Sequence, residues 1–188
     1  MADRDLTGVL LVGGGSRRFG SAKALARLGG ETLVERGWRT LGEVCAERFA
    51  IGKAAQGLRL PFPVLDDGSD VQAPLAGVVA GLRTAGHELV AFLPVDMPLV
   101  TADVLRRLAG ACRDAAIPQT GPLPGVYSTR ALPVLEGRLR DGALSLRDAL
   151  AELDVAEVAI DEAPLVNVNT PDELAVVATR VRGRGRSR

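Results

Sequence analysis

A glycine-rich segment with two cationic side chains follows the first apolar run of the chain. The residues after Val12 read GGGSRRFGSAK and end at Lys23. Glycine has no Cβ and readily adopts positive φ, so successive backbone N–H groups in such a turn can converge on an anion. Arg18 can bind phosphate oxygens through two parallel hydrogen bonds, and Lys23 adds a compact positive charge. This chemistry suits a triphosphate, because both cations would offset charge that develops during phosphoryl transfer.

Two familiar phosphate-binding motifs do not match this segment. A P-loop has its lysine directly after the second glycine, whereas Gly20 is followed by Ser21 and Ala22. The dinucleotide-binding fingerprint has a glycine where Arg18 stands. The simpler alternative is a turn that only packs a strand against a helix, but turn geometry alone does not require Arg18 and Lys23.

Carboxylates follow two other apolar runs. Asp96 ends ELVAFLPVD, and the pair Asp66 and Asp67 ends FPVLDD. Ligands of open α/β sheets bind at the carboxyl ends of the strands, where these side chains are expected. An ionised carboxylate only accepts hydrogen bonds, so one of the pair could accept from guanine N1–H and its amino group, or from ribose hydroxyls. Capping of a loop is the ordinary alternative for all three residues.

Two asparagines precede the last predicted helix. Thr170, Pro171 and Glu173 predict a helix start with a capping box, in which the N-cap and the third helical residue bond each other's backbone. Asn167 and Asn169 lie directly before it and could bind an acceptor or complete a metal shell. Turn formation by asparagine explains them equally well.

The order of elements predicts an α/β fold. Apolar runs typical of strands lie at 7–12, 48–52, 62–67, 88–96 and 155–160, with proline-broken strand segments within 115–128. Helical periodicity lies at 31–44, 74–86 and 142–153, and in a helix that follows the N-cap Thr101. The near-continuous apolar run at 88–96 is typical of a central strand that is buried on both faces.

Composition narrows the class of protein. A length of 188 residues predicts a single domain, 1–188, and 47% apolar with 24% charged residues is typical of a globular chain. Basic and acidic residues both number 23, so no general attraction to nucleic acid or anionic membrane is expected. The charged start MADRDLTG predicts no secretory signal, and no run approaches the roughly 20 apolar residues of a spanning helix. The two cysteines are expected to be buried thiols, and the protein to be cytoplasmic.

Four ordered blocks resemble one protein family. The pattern L-x-G-G-x-S-x-R-x-G-x-x-K, with LGGETLVER after it, is followed by APLAG at 73–77, PVDMP at 94–98 and NVNTPDEL at 167–174. Together they resemble the nucleotidyltransferases with a Rossmann-like GT-A fold, and among them the molybdenum cofactor guanylyltransferase family. The resemblance implies a three-layer α/β/α sandwich with a mostly parallel central sheet, of the nucleotide-diphospho-sugar transferase type. It also implies a nucleotide-binding half at 6–112, an acceptor-binding half at 113–180 and a disordered tail at 181–188.

The resemblance also implies roles for residues. Lys23, Arg18 and Asp96 would be catalytic, Asp96 would bind Mg²⁺, and the nucleotide contact would fall on Asp67 rather than Asp66. Asn167 and Asn169 would contact the acceptor. The implied nucleotide-binding residues are Leu11, Val12, Gly13, Gly14, Gly15, Ser16, Arg18, Phe19, Gly20, Lys23, Asp67, Pro74, Leu75, Gly77 and Asp96.

The implied reaction joins GMP from GTP to molybdopterin and releases pyrophosphate. Its implied partners are GTP and molybdopterin or the molybdenum cofactor, with molybdoenzymes or other cofactor-biosynthesis proteins as further partners. Two positions depart from the family: Ala22 stands where an Asp is common, and Gly52 where an Asn often helps to hold the nucleotide. The alternatives are a molybdenum cofactor cytidylyltransferase or another small NTP transferase, and a nucleotide-binding accessory protein without catalysis.

Overall fold

The computed structural model of the chain describes residues 5–13, 23–53 and 60–184. Its strands are Leu6–Leu11 (β1), Arg27–Leu28 (β2), Glu31–Thr32 (β3), Glu47–Gly52 (β4), Val64–Asp66 (β5), Leu89–Pro94 (β6), Ala115–Pro118 (β7), Gly125–Ser128 (β8) and Val155–Val158 (β9). Its helices are Leu33–Gly42 (α1), Pro74–Thr84 (α2), Ala102–Ala111 (α3), Leu132–Arg140 (α4), Leu146–Ala149 (α5) and Pro171–Arg184 (α6). No helix within these ranges has both the length and the apolar character needed to span a membrane.

Seven strands form the central sheet, in the order β5-β4-β1-β6-β8-β7-β9. The pairs β1–β4, β1–β6, β4–β5 and β7–β9 are parallel, and only the pairs of β8 with β6 and β7 are antiparallel. Strands β2 and β3 pair separately as a small antiparallel hairpin. The predicted mostly parallel, Rossmann-like sheet is therefore confirmed.

Helices cover both faces of this sheet. Alternate residues of a strand point to opposite faces, and in β1 Leu10 packs with one core cluster while Val9 packs with the other. The first cluster includes side chains of α1, α3 and α6, and the second includes side chains of α2, α4 and α5. Strands β1 and β6 are buried along nearly their whole length, as their apolar sequences predict. The result is the expected three-layer α/β/α sandwich.

Glycines bring two helices close to the sheet. A Cβ placed on Gly37 of α1 would lie 2.6 Å from Leu10 Cδ1, and one on Gly81 of α2 would lie 2.4 Å from Phe92 Cε1. Real side-chain carbons do not approach so closely, because interiors are already packed as densely as organic crystals. These helices can therefore lie this close to the central strands only because Gly37 and Gly81 have no side chains.

The two predicted helix caps are present. Thr101 accepts from the backbone N–H of Val104, and Thr170 and Glu173 form the predicted reciprocal capping box. A further capping box joins Thr32 and Glu35 at the start of α1, two residues after the predicted start of that helix. Each satisfies N–H groups that the first helical turn leaves without a partner.

Helical structure differs from the prediction in three places. Helix α4 was not predicted. The segment 142–153 forms the short helix α5, capped by Ser145, and a 3₁₀ turn at Leu150–Glu152, where one longer helix was expected. Helix α6 continues to Arg184, into the segment assigned to the tail, and residues 185–188 lie outside the described residues.

Cys45 and Cys112 are not joined in a disulfide, and both are partly buried. Burial raises the pKa of the Cys112 thiol to about 11, which keeps it protonated and poorly reactive at neutral pH. The Cys112 thiol lies 3.4 Å from the Val126 carbonyl oxygen of β8, to which it donates a weak hydrogen bond. This arrangement agrees with the expectation of reduced structural thiols, although their burial is only partial.

The single histidine belongs to a polar group at the amino ends of β1 and β6. The Thr7 hydroxyl donates to Glu47 Oε2 at 2.8 Å and lies 3.0 Å from His87 Nδ1. Since that hydroxyl has one hydrogen, His87 Nδ1 must carry the proton that joins it to Thr7. The turn-like sequence TAGHE predicts an exposed surface position for His87, but the residue is half-buried and hydrogen-bonded, so that prediction is wrong. Glu47 also accepts from the Gly86 amide, so it fixes the turn between α2 and β6.

Replacing Gly81 by alanine should destabilise the protein, whereas the same change at Gly110 should not. Overpacking a core costs about 1–3 kcal/mol, and the better helix propensity of alanine contributes only about 0.5–1 kcal/mol. Gly110, exposed on α3, has nothing within 4 Å of an added Cβ beyond its own helix turn, so the gain in propensity persists there. Urea unfolding measures the difference. A Gly81→Ala protein as stable as Gly110→Ala would contradict the close packing of α2.

The carboxylate of Glu47 should stabilise the fold at neutral pH and less in acid. The Gly86 amide, followed by the Thr7 hydroxyl and the nearby His87, lowers the pKa of the Glu47 carboxyl. A carboxyl with a lowered folded-state pKa contributes stability above its unfolded pKa, which is about 4.3, and loses it as the pH falls through the folded value. Glu47→Gln should therefore reduce the free energy of unfolding at pH 7 more than near pH 3. Glu157→Gln, at an exposed position of β9, is the control; equal effects of Glu47→Gln at both pH values would refute the expectation.

Candidate functional site

The topology creates a crevice at the carboxyl edge of the sheet. Strand β1 has β4 on one side and β6 on the other: the chain runs from β1 through α1 to β4, and from β5 through α2, on the opposite face, back to β6. Such a switch point leaves a gap between the loops that follow the strands, and ligands of open α/β sheets bind there. The segments after β1, β4, β5 and β6 all begin at this edge.

Lys23, Asp96 and Asn169 meet in this crevice. The Lys23 Nζ donates to Asp96 Oδ2 at 3.1 Å and to Asn169 Oδ1 at 2.8 Å. The Lys23 side chain is 12% exposed and that of Asp96 is 30% exposed, so the ion pair is largely shielded from water. Residues separated by 73 and 146 positions in the sequence are thus brought to one point.

Backbone hydrogen bonds fix the two loops that carry Asp96 and Asn169. The turn after β6 is closed by the Met97 N–H, which donates to the Pro94 carbonyl at 3.1 Å. The Val168 N–H donates to the Asp96 carbonyl at 2.8 Å, so the segment before α6 is tied directly to that turn. Val168 is fully buried beside them. Asn169 therefore reaches Lys23 because its neighbour is anchored in the core.

The group offers oxygen ligands to a cation. A carboxylate oxygen and an amide oxygen both lie within 3.1 Å of the Lys23 ammonium, which is a cation itself. Such hard oxygen donors suit Mg²⁺, which proteins often hold with one or two carboxylates while substrate phosphates supply further ligands. Within 5–13, 23–53 and 60–184, no three acidic, histidine or cysteine residues cluster as a ready-made metal site. The donor set fits a metal that is shared with a substrate.

A second ion pair lies at the same edge of the sheet, at the ends of β4 and β5. Asp67 Oδ1 accepts from Lys53 Nζ at 2.6 Å and from the Ser69 N–H at 3.0 Å. Lys53 also donates to the Ser69 carbonyl oxygen. The Lys53 side chain is 15% exposed and the Asp67 side chain is 9% exposed. The neighbouring Asp66 is exposed and accepts from the Gly68 N–H, which makes it a turn former.

Lys53 is the residue that sequence reasoning missed. A signal for it was present in the composition, because the chain contains 21 arginines and only two lysines, Lys23 and Lys53. Both lysines lie at the carboxyl edge of the sheet, and each is paired with an aspartate. In a chain that otherwise uses arginine, this pattern indicates two places where a compact ammonium is suited.

The start of the glycine-rich segment lies next to Lys53. Leu11 and Val12 are buried in the core and Gly13 is exposed. A Cβ on Gly13 would lie 3.6 Å from the Gly52 Cα, so the two backbones pass close together there. A Cβ on Gly52 would lie 2.9 Å from Val12 Cγ2. A side chain at this position, where the resemblance implies an Asn, would therefore require Val12 to move. The other predicted residues of the segment, Gly14, Gly15, Ser16, Arg18, Phe19 and Gly20, lie outside the described residues, as does Ala22.

The predicted residues of α2 lie at the start of that helix. Pro74 is its first residue and is exposed, whereas the side chain of Leu75 is fully buried in the core. A Cβ on Gly77 would lie 3.0 Å from Leu11 Cδ2, so this glycine sets how closely α2 approaches β1. The side chain of Leu75 is therefore closed to a ligand, and Gly77 acts by setting the position of α2.

Two other polar groups lie apart from the Lys23 group. Asn167 is exposed two residues before Asn169, and it makes no side-chain hydrogen bond to any residue in the part of the chain that the structure describes. A shallow surface depression near His87, lined by Ala85, Gly86, Glu88, Thr129 and Arg130, lies at the amino end of β6. Six residues of extended strand separate it from Asp96, a span of about 20 Å.

Solved structures share this architecture. Molybdopterin-guanine dinucleotide biosynthesis protein A from Archaeoglobus fulgidus superposes with a TM-score of 0.79 at 24% identity, covering 94% of this chain and 99% of its own. The 2-C-methyl-D-erythritol 4-phosphate cytidylyltransferase from Thermus thermophilus superposes with a TM-score of 0.73 at 21% identity, covering 93% and 98%. At such identities the likeness concerns the fold.

Comparison of sequences identifies the family as well as the fold. The molybdenum cofactor guanylyltransferase from Acidiphilium cryptum is 38% identical over 181 residues, which cover 90% of this chain and 92% of that protein. A probable molybdenum cofactor guanylyltransferase from Deinococcus radiodurans is 34% identical over 184 residues, covering 93% and 95%. The family described as the MobA-like NTP transferase domain matches residues 8–158, a span that contains most of β1, Lys23, both aspartates of the ion pairs and most of the sheet. This chain therefore belongs to the MobA-like NTP transferase family, because the family match covers most of its length and the relatives align over nearly all of it.

Proposed function

We propose that this chain is a molybdenum cofactor guanylyltransferase, which transfers GMP from GTP to molybdopterin. A phosphate oxygen of molybdopterin attacks the α-phosphorus of GTP, a new P–O bond forms, and the bond to the β-phosphate breaks to release pyrophosphate. The observation that carries the proposal is the meeting of Lys23, Asp96 and Asn169 at the switch point of the sheet. Membership of the family and the names of the full-length relatives support it.

Lys23 and the glycine-rich segment would bind the triphosphate. The Lys23 ammonium lies where it can offset charge that develops on the phosphates, and positioning together with charge stabilisation accounts for most catalysis of phosphoryl transfer. Arg18 and the backbone N–H groups of residues 13–20 would contribute the other contacts. Helix α2 begins at this edge without a side-chain cap, and the positive end of its dipole favours negative charge there.

Asp96 would hold Mg²⁺ together with the nucleotide phosphates, and Asn169 could complete the shell. The metal, when bound, would supply Lewis-acid stabilisation of the phosphate charge. The fit rests on the oxygen donors that already surround one cation, the Lys23 ammonium, at this point. The same arrangement lets Asn169, from the acceptor-binding half, lie beside residues of the nucleotide-binding half.

The reaction needs no strong general base from the protein. The attacking phosphate is already ionised, so positioning the two substrates matters more than proton transfer. The chain's single histidine lies at the amino end of β6, bonded to Thr7, while Asp96 lies beyond its carboxyl end. This placement agrees with a mechanism based on charge and alignment.

Asp67 would recognise the nucleotide, and the acceptor site would lie within the half of the chain at 113–180. A carboxylate accepts well from the adjacent N1–H and 2-amino groups of guanine, a pair of donors that adenine does not offer. Asn167 and Asn169 would contact the acceptor from the start of α6. The cofactor formed in this reaction would then be passed to a molybdoenzyme in the cytoplasm.

GTP should stabilise the folded protein more than CTP, ATP or UTP, each with Mg²⁺. A ligand that binds only the folded state raises its stability by mass action, by about 2.7 kcal/mol at a concentration of 100 times Kd. Thermal unfolding of the full chain with each nucleotide measures this effect. A shift specific to CTP would favour a cytidylyltransferase instead, and no shift with any nucleotide would contradict nucleotide transfer altogether.

Asp96→Asn should reduce turnover by at least about 10²–10³-fold and leave the fold intact. The change keeps the shape of the side chain but removes the charge that would hold Mg²⁺, and losses of this size follow removal of one charge-stabilising group. Pyrophosphate release with GTP, Mg²⁺ and molybdopterin gives the rate, and thermal unfolding reports the fold.

Asp103→Asn is the matched control, because Asp103 is exposed in the first turn of α3 and seven residues from Asp96. It should turn over like the unaltered chain. An Asp96→Asn protein with the rate of this control would overturn the proposed role of Asp96 in binding the metal.

A further inference from the structure

We propose that Lys53 is a specificity residue for the guanine base, and that it acts by positioning the carboxylate of Asp67. The inference rests on the proposed function and adds to it a residue that supplies nucleotide discrimination. Lys53 itself would touch neither the base nor the reacting phosphates. Its effect would pass through the orientation and charge of Asp67.

The contacts of Lys53 hold one end of the Asp67 carboxylate. Both described hydrogen bonds of this carboxylate, from Lys53 Nζ and from the Ser69 N–H, go to Oδ1. A carboxylate has about four lone-pair sites on its two oxygens, so these bonds leave Oδ2 able to accept from a ligand. Lys53 also bonds to the Ser69 carbonyl, so it closes a ring of contacts around the turn at 67–69.

The location of the pair connects it with the nucleotide. Lys53 is the first residue after β4, and its backbone nitrogen lies 4.0 Å from the position of a Cβ built on Gly13. Gly13 begins the segment proposed to hold the phosphates. Lys53 and its partner Asp67 therefore lie on the β4 side of the switch point, with Lys53 next to the start of that segment, while Asp96 lies on the β6 side.

Electrostatics gives a reason for a cation at position 53. An unpaired carboxylate beside a triphosphate site would repel the substrate. The Lys53 ammonium, 2.6 Å from Asp67 Oδ1, offsets that charge while Asp67 still presents an acceptor oxygen.

Lysine suits this position better than arginine does. The ammonium is a compact point charge with three donors, and it reaches both Asp67 Oδ1 and the Ser69 carbonyl within a narrow, half-buried space. A guanidinium is planar and binds both oxygens of a carboxylate side by side, which would occupy Oδ2. That difference agrees with the use of lysine at only two of the chain's 23 basic positions.

The test compares GTP with inosine triphosphate, which keeps N1–H but lacks the 2-amino group. Calorimetry of the full chain with Mg²⁺ gives Kd for both nucleotides and for CTP. Lys53→Met should weaken GTP binding about 10–100-fold, the range expected when a hydrogen bond to a charged group loses its geometry, and should bring the ratio of the two purine affinities near one. At saturating GTP, kcat should stay within about threefold, so the loss appears in KM.

Arg113→Met is the matched control. Arg113 pairs with Asp154 at 2.8 Å on an exposed surface before β7, so this variant removes an ion pair of similar length away from the crevice. It should bind each nucleotide like the unaltered chain. If Lys53→Met does not fold, Lys53→Gln carries the same comparison, since it removes the charge and keeps donors.

A double-mutant cycle tests whether Lys53 acts through Asp67. Combining Lys53→Met with Asp67→Asn should change GTP affinity no further than Asp67→Asn alone, because residues that act through one contact are not additive. Additive losses, an unchanged ratio of GTP to inosine triphosphate, or equal weakening of all three nucleotides would each overturn the inference. An unaltered chain that binds no nucleotide, or prefers CTP, would instead refute the proposed function.

Discussion

The ion pair between Lys23 and Asp96 depends on the register of two neighbouring strands. Strands β1 and β6 are parallel and Leu11 lies opposite Pro94, so the segments that leave them begin at the same height. The Val95 N–H continues this pairing by donating to the Leu11 carbonyl. A shift of one residue in this register would turn alternate side chains to the wrong core and move Asp96 away from Lys23. The apolar sequence of both strands therefore fixes the geometry of the polar site.

Helices α1 and α2 pack closely against the strands that form the crevice. Glycines at the contact points of α1 and α2 allow both helices to lie close to β1 and β6, so the sheet is held from both faces. A catalytic group must be held within about 0.5 Å of its working position, and rigid elements achieve this better than loops do. The loop residues Asp96 and Asn169 gain the same rigidity from the Val168 N–H, which joins their two loops by a backbone hydrogen bond. The packed core thus holds the site residues in place through a few short backbone connections, such as the one from Val168 to Asp96.

Much of this arrangement could be predicted from the sequence, and the exceptions have physical causes. The strands and the caps at Thr101 and Thr170 follow from short-range patterns, apolar runs and side chains that bond to nearby N–H groups. Helix α4 escaped prediction because Pro133 near its start and a mixed polar sequence hide its periodicity. His87 looked exposed because its partners, Thr7 and Glu47, are 80 and 40 residues away.

The site shows the same division between local and distant information. Motifs identified Lys23, Asp96 and Asn169, but only the fold shows that they touch. Asp67 was separated from Asp66 by resemblance, and the structure gives the physical difference, since Asp67 is paired and nearly buried while Asp66 caps a turn. Lys53 belongs to no motif, and its contact joins it to Asp67, 14 positions later in the sequence and after a different strand.

Charge balance at the edge of the sheet explains why both lysines matter. The pairs Lys23–Asp96 and Lys53–Asp67 each sum to zero, so these four residues alone give little attraction for a triphosphate. In the proposed mechanism, net attraction would come from Arg18, from backbone N–H groups and from a divalent cation at Asp96. The two aspartates would then select, one for a metal and one for the donors of a base, without repelling the phosphates. Under this proposal the paired charges would provide discrimination and the glycine-rich segment would provide affinity.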